Sequence, residues 1–152
     1  MLSAATPNGQ GAIGVSASEI AAMLTVMQEG FASLNDTSQV VSANAIVGGN
    51  VLTSGGSTAI NLTTDTAANI INALTQSVGA IPRIGQTFPL FITNLNTATA
   101  TVVGGTGVTL VGSGAVATIQ TTSFMGTITG TTQLGGTPAI SLQRMWSNGA
   151  AA

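Results

Sequence analysis

The stretch Thr87-Phe88-Pro89-Leu90-Phe91-Ile92-Thr93-Asn94-Leu95 decides the fold. Its residues alternate, with Phe88, Leu90 and Ile92 on one face. A period of two is the signature of a strand with one buried side. Pro89 has no N–H for a ladder, which places that part of the strand at an edge or near its start.

The same pattern continues toward the C-terminus. Ala98–Val103, Val108–Val111, Ala115–Ile119, Thr122–Thr129 and Ala139–Met145 read as further strands. Gly104-Gly105-Thr106-Gly107 and Gly112-Ser113-Gly114 separate three of them as turns. About six strands at roughly 8–12 residue spacing predict a small antiparallel barrel or sandwich. Threonine is common in these strands. Its branched carbon suits a pleated surface and its hydroxyl supplies polarity without charge. The Gly-Gly pairs at 48–49, 55–56, 104–105 and 135–136 are irregularly spaced. They predict hairpin turns with positive φ, and no solenoid.

Toward the N-terminus, Pro82 and Gly85 mark a connection. Before it, Thr63-Thr64-Asp65-Thr66 precedes Ala67, Ala68, Ile70, Ile71, Ala73 and Leu74 at helical spacing. This predicts a helix of about three turns ending near Ser77-Val78-Gly79, with Asp65 in its first turn complementing the dipole. Residues 36–62 hold short β-like pieces, Val40-Val41, Ala45-Ile46-Val47, Val51-Leu52 and Ala59–Leu62, separated by glycine turns. They read as a hairpin or as an extended arm pairing with a neighbour's sheet. Met1–Val15 reads as a flexible arm. Ser16-Ala17-Ser18-Glu19 then matches a capping box. Ile20, Leu24, Met27, Phe31 and Leu34 follow at intervals of 4, 3, 4 and 3, an a/d seam. Gly30 weakens that helix by about 1 kcal/mol relative to Ala. The seam packs either on its own domain or on symmetry mates or a larger scaffold. The division expected is an arm and amphipathic helix (1–35), a connector (36–62), a β domain (63–146) and a flexible tail (147–152).

Composition limits the chemistry. The 152 residues contain six charged side chains: Glu19, Glu29, Asp36, Asp65, Arg83 and Arg144. An average domain of this length would carry roughly 38. Lys, His, Cys and Tyr are absent. Two arginines cannot make the basic face that nucleic acid requires. Zinc, haem and iron–sulfur sites need Cys or His, as do Ser-His-Asp and Cys-His catalysis. The four acids lie far apart in sequence, against a calcium or magnesium cage. The expectation is a protein that is not an enzyme and takes no cofactor, metal or small-molecule substrate. Mean hydropathy is +0.51, yet no run of about 18 apolar residues occurs, so no membrane partner is expected. Met1–Gln10 has neither positive charge nor an apolar segment, so no secretory signal is expected there. The sequon matches at Asn35 and Asn61 are discounted accordingly. So few charges cannot cover the surface of a free monomer, which favours an obligate oligomer or a component of a larger particle.

Other candidate features are sparse. The loop Gly104–Gly107 lacks the lysine of a phosphate cradle and lies between strands. Arg83, in Ile81-Pro82-Arg83-Ile84-Gly85, and Arg144, in Leu142-Gln143-Arg144-Met145-Trp146, are either solvent-facing or anchors between subunits. Trp146 is either an interface hot spot or a plug at the end of the barrel. A scarcity of aromatics argues against an adhesin.

Three segments carry a family resemblance: Thr64–Leu74, Gly85–Asn94 and Thr101–Leu110. A short "DTA…I" helix, a strand ending in "I.N" and a "T…G.GvT" hairpin together resemble a tailed-bacteriophage capsid decoration, or cement, protein. The resemblance spans Thr64–Arg144 and its motifs are structural. It implies a homotrimer on the outer capsid surface of a virion, clamping neighbouring major capsid proteins. Related modules in head and tail fibres imply the alternative of host receptor binding. The N-terminal seam lies outside the resemblance.

Overall fold

The computed structural model describes residues 31–148 apart from Asp36; of Phe31 and Leu134 it describes the backbone only. In chain order the elements are β1 (Phe31–Leu34), β2 (Gln39–Val41), α1 (Ala43–Gly48), β3 (Asn50–Thr53), β4 (Ile60–Thr64) and α2 (Ala67–Val78). They continue with β5 (Thr87–Asn94), β6 (Ala100–Val103), β7 (Val108–Val111), β8 (Ala115–Val116), β9 (Gln120–Gly130) and β10 (Ala139–Ser147). A 3-10 turn at Gln133–Gly135 precedes β10. The protein is mainly β, with two mixed sheets. One has the order β1-β3-β5-β9-β10-β7 and the other β2-β4-β6-β8.

The deciding stretch is β5. Phe88, Leu90, Ile92 and Asn94 are buried, while Thr87, Pro89 and Phe91 face outward. β3 reaches only Phe91–Asn94 of β5. The half containing Pro89 therefore has β9 as its one ladder neighbour among the described residues, which is where a residue without an N–H fits. Opposite Phe88 stands Gly126. A Cβ on Gly126 would come within 2.3 Å of the Phe88 ring, so the glycine makes the space that the ring fills.

The expected antiparallel arrangement is corrected. Five pairings are parallel: β1–β3, β3–β5, β2–β4, β4–β6 and β7–β10. The antiparallel ones are β5–β9, β9–β10 and β6–β8. Only β9 and β10 are consecutive strands that pair with each other among the described residues. At every other step the chain crosses from one sheet to the other. From β1 to β6 the chain crosses and returns to each sheet in its original direction, so strands two apart pair in parallel there, whereas β6 and β8 pair antiparallel. Turn signals at short intervals look the same for this winding as for a meander. The winding also shows that irregular glycine spacing does not exclude repeated coils. β1–β2, β3–β4 and β5–β6 stack as three successive ones, made unequal in length by α1 and α2 between them.

Further corrections follow locally. The stretch Phe31–Leu34, expected to finish the amphipathic helix, is a strand paired with Asn50–Thr53. Gly30 disfavours continuing the helix, and sheet pairing overrides propensity. Ile20, Leu24 and Met27, with the expected arm, lie outside the described residues. Residues 36–62 are not a separate connector, because β3 and β4 are interior strands of the two sheets. Ala45-Ile46-Val47 is helical. The Ser42 side chain accepts from Ala45 N at its start, and Gly49 ends it with φ 84, a left-handed cap that suits glycine. Gly104–Gly107 is no hairpin but a crossing between sheets. A Cβ on Gly105 would meet the Thr64 carbonyl oxygen at 2.2 Å. Ser147, assigned to the tail, ends β10, and Asn148 N donates to Thr121 O at 3.1 Å. The helix α2 lies where the spacing predicts it, with Thr66 as N-cap and Gly79 as C-cap.

One core joins both sheets and both helices. It includes Val41, Ile46, Leu62, Ile70, Leu90, Ile92, Val102, Val116, Phe124, Ile128, Ile140 and Leu142. Each such fully buried large side chain contributes about 1.5–3 kcal/mol.

Candidate functional site

Alternation fixes what the six-stranded sheet shows to solvent. Its register aligns Phe31 (β1), Asn50 (β3), Phe91 (β5), Ser123 (β9) and Trp146 (β10) in one row across the strands. A second row runs Pro89, Met125, Gln143 and Val111. The outward positions are therefore apolar or uncharged. Phe91 is 41% exposed and Trp146 58%. Both flank Ser123, so their backbones lie about 10 Å apart across the sheet. The bulge at Ser123/Phe124 shifts the alternation of β10 by one residue and turns Trp146 outward.

Arg144 is the single charged residue in these six strands. Its Nη1 donates to Ser113 O at 3.4 Å, and its Cβ lies 3.6 Å from where a Cβ on Gly112 would stand. The guanidinium is thus engaged within the chain. Arg83 is exposed in the connection between α2 and β5, where its backbone N–H donates to Gln86 Oε1. Ile81 and Ile84 beside it are exposed as well. Leu34 is half-buried and packs against the core. Phe31 and Leu34, three apart in a strand, fall on opposite faces of the sheet, so they cannot share a seam. The structure brings Phe31 and Trp146 into one row and leaves Leu34, Arg83 and Arg144 outside it. Phe91 and Met125 were missed as surface residues. Their positions opposite the buried set were available in the alternation; that no described residue covers this face was not.

No family model, curated protein or solved structure matches the chain.

The remaining polar features are structural. An open groove of about 400 Å³ lies between α1 and α2, lined by Asn44, Asp65, Asn69, Asn72 and Gln76 among others. Asp65 lies just before the Thr66 cap, outside the first turn of α2 where it was expected. Its Oδ2 accepts from Ala43 N at 3.1 Å, and its Oδ1 from Thr66 N at 2.8 Å and Asn69 Nδ2 at 2.7 Å. Partial burial raises its pKa, but the bonds from Asn69, Thr66 and Ala43 outweigh it and hold the carboxyl below its ordinary value. The carboxylate ties the starts of two helices together. Ala67 N donates to Thr106 O at 2.9 Å, so the glycine loop fills the helix start with a carbonyl where an anion would have to sit. No group of three or more potential metal-ligating side chains occurs among the described residues. No helix among them is long and apolar enough to cross a membrane.

Proposed function

We propose that the chain is a virion structural protein: a capsid decoration or cement protein that forms a homotrimer on the outer capsid and bridges major capsid proteins. One observation supports it most, the uncharged outer face of the six-stranded sheet with Phe91 and Trp146 exposed in one row. Interface cores are depleted of charge and enriched in aromatic side chains. In this reading the two sheets are the layers of a sandwich closed over the common core, and the residues before β1 supply trimer or capsid contacts. The role is mechanical, and calls for no catalytic group, cofactor, nucleic acid or membrane. A trimer seated where capsomers meet adds buried area across seams under internal pressure. Several contacts per trimer give strong retention through effective concentration.

A fibre module that touches a host receptor is the second reading. The same aromatic pair supports it, because two exposed aromatic side chains on backbones about 10 Å apart offer a stacking surface for a flat ligand such as a sugar. Labelled protein added to capsids lacking it, and separately to host cells, tests both. Saturable binding to capsids and none to cells is the expected result. Binding to cells alone would replace the decoration reading with the fibre reading.

A further inference from the structure

We infer that the outer face of the six-stranded sheet is a self-association surface, and that what covers it is the same sheet of a neighbouring copy of this chain. The inference rests on the homo-oligomer reading above and names the contact by which copies meet.

Three observations carry it. First, the middle of the face carries Pro89, Phe91, Met125 and Trp146 on three adjacent strands, interrupted only by the uncharged Ser123 and Gln143. Second, it has no charge to direct a charged partner. Arg144, the one ion of these strands, is held on Ser113 O, and no carboxylate lies in any of them. A copy meeting this face finds no like charge to repel it. All six strands together present about 600 Å² in projection at ordinary strand spacing. With side-chain relief this approaches the roughly 800 Å² per partner of a stable interface.

Third, Ile119 is placed against its own interest. It has φ 53, the one positive φ outside glycine among the described residues, and it is 73% exposed. A β-branched side chain is strained in the left-handed region, and here it buries little of itself in return. Glycine or asparagine would suit the free monomer better on both counts. The β5–β9 ladder ends at Asn94–Gln120, and the residues just past that end, Leu95 and Ile119, are both exposed. The two form an apolar end to the same pair of strands that carries Phe91. A contact outside the monomer gives this side chain its use.

The test is sedimentation of the full chain at micromolar concentration, as wild type and as Trp146→Thr, Phe91→Thr and Ile119→Gly. Val103→Thr, on the outer side of the other sheet, is the control. Thermal unfolding at a dilution where the protein is monomeric checks that each variant folds. Wild type is expected at a multiple of 14.9 kDa, and the control with it. Trp146→Thr should weaken association roughly thirtyfold, as for a hot-spot side chain, and Phe91→Thr in the same direction. Ile119→Gly should weaken association while raising the unfolding midpoint of the monomer, a pair of opposite signs that a merely structural residue would not give. If wild type assembles and all three variants assemble equally well, this face is not the contact, while the homo-oligomer reading stands. If wild type is a monomer, self-association is overturned, and capsid binding alone then decides the decoration reading.

Discussion

Thr122 holds a hydroxyl in the core with no hydrogen-bond partner among the described residues. Its register neighbour Ile92 is fully apolar, and the polar groups nearby are otherwise matched. Asn94 Nδ2 lies 2.9 Å from the carbonyls of both Ala98 and Val116, and Asn96 Nδ2 donates to Thr53 Oγ1 at 3.1 Å. An unmatched buried hydroxyl costs about 1–3 kcal/mol relative to an apolar group of its shape. Thr122→Val should therefore raise the free energy of urea unfolding by about 1 kcal/mol; a loss would mean the hydroxyl has a partner. Asp65 gives a prediction in pH. A carboxyl whose pKa is lowered on folding adds stability above its unfolded value and loses it as the pH falls through the folded value. Three N–H donors hold Asp65 low. Asp65→Asn should cost less than about 1 kcal/mol at neutral pH, because solvent screens this only partly buried carboxylate, and the gap from wild type should close in acid below the carboxylate range. A gap constant across that range would mean that the charge contributes nothing.

At the scale of elements, β5 and β9 are matched by shape. Gly126 is open because the Phe88 ring occupies its place. Gly126→Ala should destabilise by about 1–3 kcal/mol through overpacking, and Phe88→Leu should recover much of that loss. A double-mutant cycle in denaturant measures the coupling, and additive effects would show that the two do not share the space. How far such elements were legible depended on how local their cause was. The alternation of β5 and the Thr66-to-Gly79 span of α2 follow from neighbours in the chain, and both lie where the sequence places them. Pairing partners depend on residues tens of positions away. Thus Phe31–Leu34 carries a helical spacing yet forms a strand beside Asn50–Thr53, and Ala45–Val47 carries strand residues yet sits between a Ser42 cap and a Gly49 cap. Phe91 and Trp146 were each readable as outward or unusual, but only the register sets them in one row.

At the scale of the molecule, scarcity of charge becomes a statement about adhesion. In the proposed assembly, a contact between copies through Phe91, Met125 and Trp146 would gain little from Coulomb attraction, and salt screens only charges. Assembly and particle binding should therefore hold nearly constant from low to molar sodium chloride, read by sedimentation and by release from particles. Dissociation that grows steeply with salt would point to an ionic contact involving the few acids and Arg83 instead. Which residue types the chain has for chemistry was readable at this scale, since composition needs no coordinates. The winding between two sheets was not legible, because α1 and α2 make the successive coils unequal.

That winding also governs how the chain can reach its structure. Consecutive strands go to different sheets at every step but the last described one, so the two layers grow together until β8 supplies the last strand of the four-stranded sheet, while the six-stranded sheet still waits for β9 and β10. Among the described residues the β9–β10 hairpin is the one place where neighbours in sequence are neighbours in a ladder. Loops must close over long separations before most contacts form, which slows folding to the millisecond-to-second range typical of such topologies. A nascent chain released before β9 would leave β5 without its central partner. Commitment to the native state waits for the C-terminal third of the polypeptide.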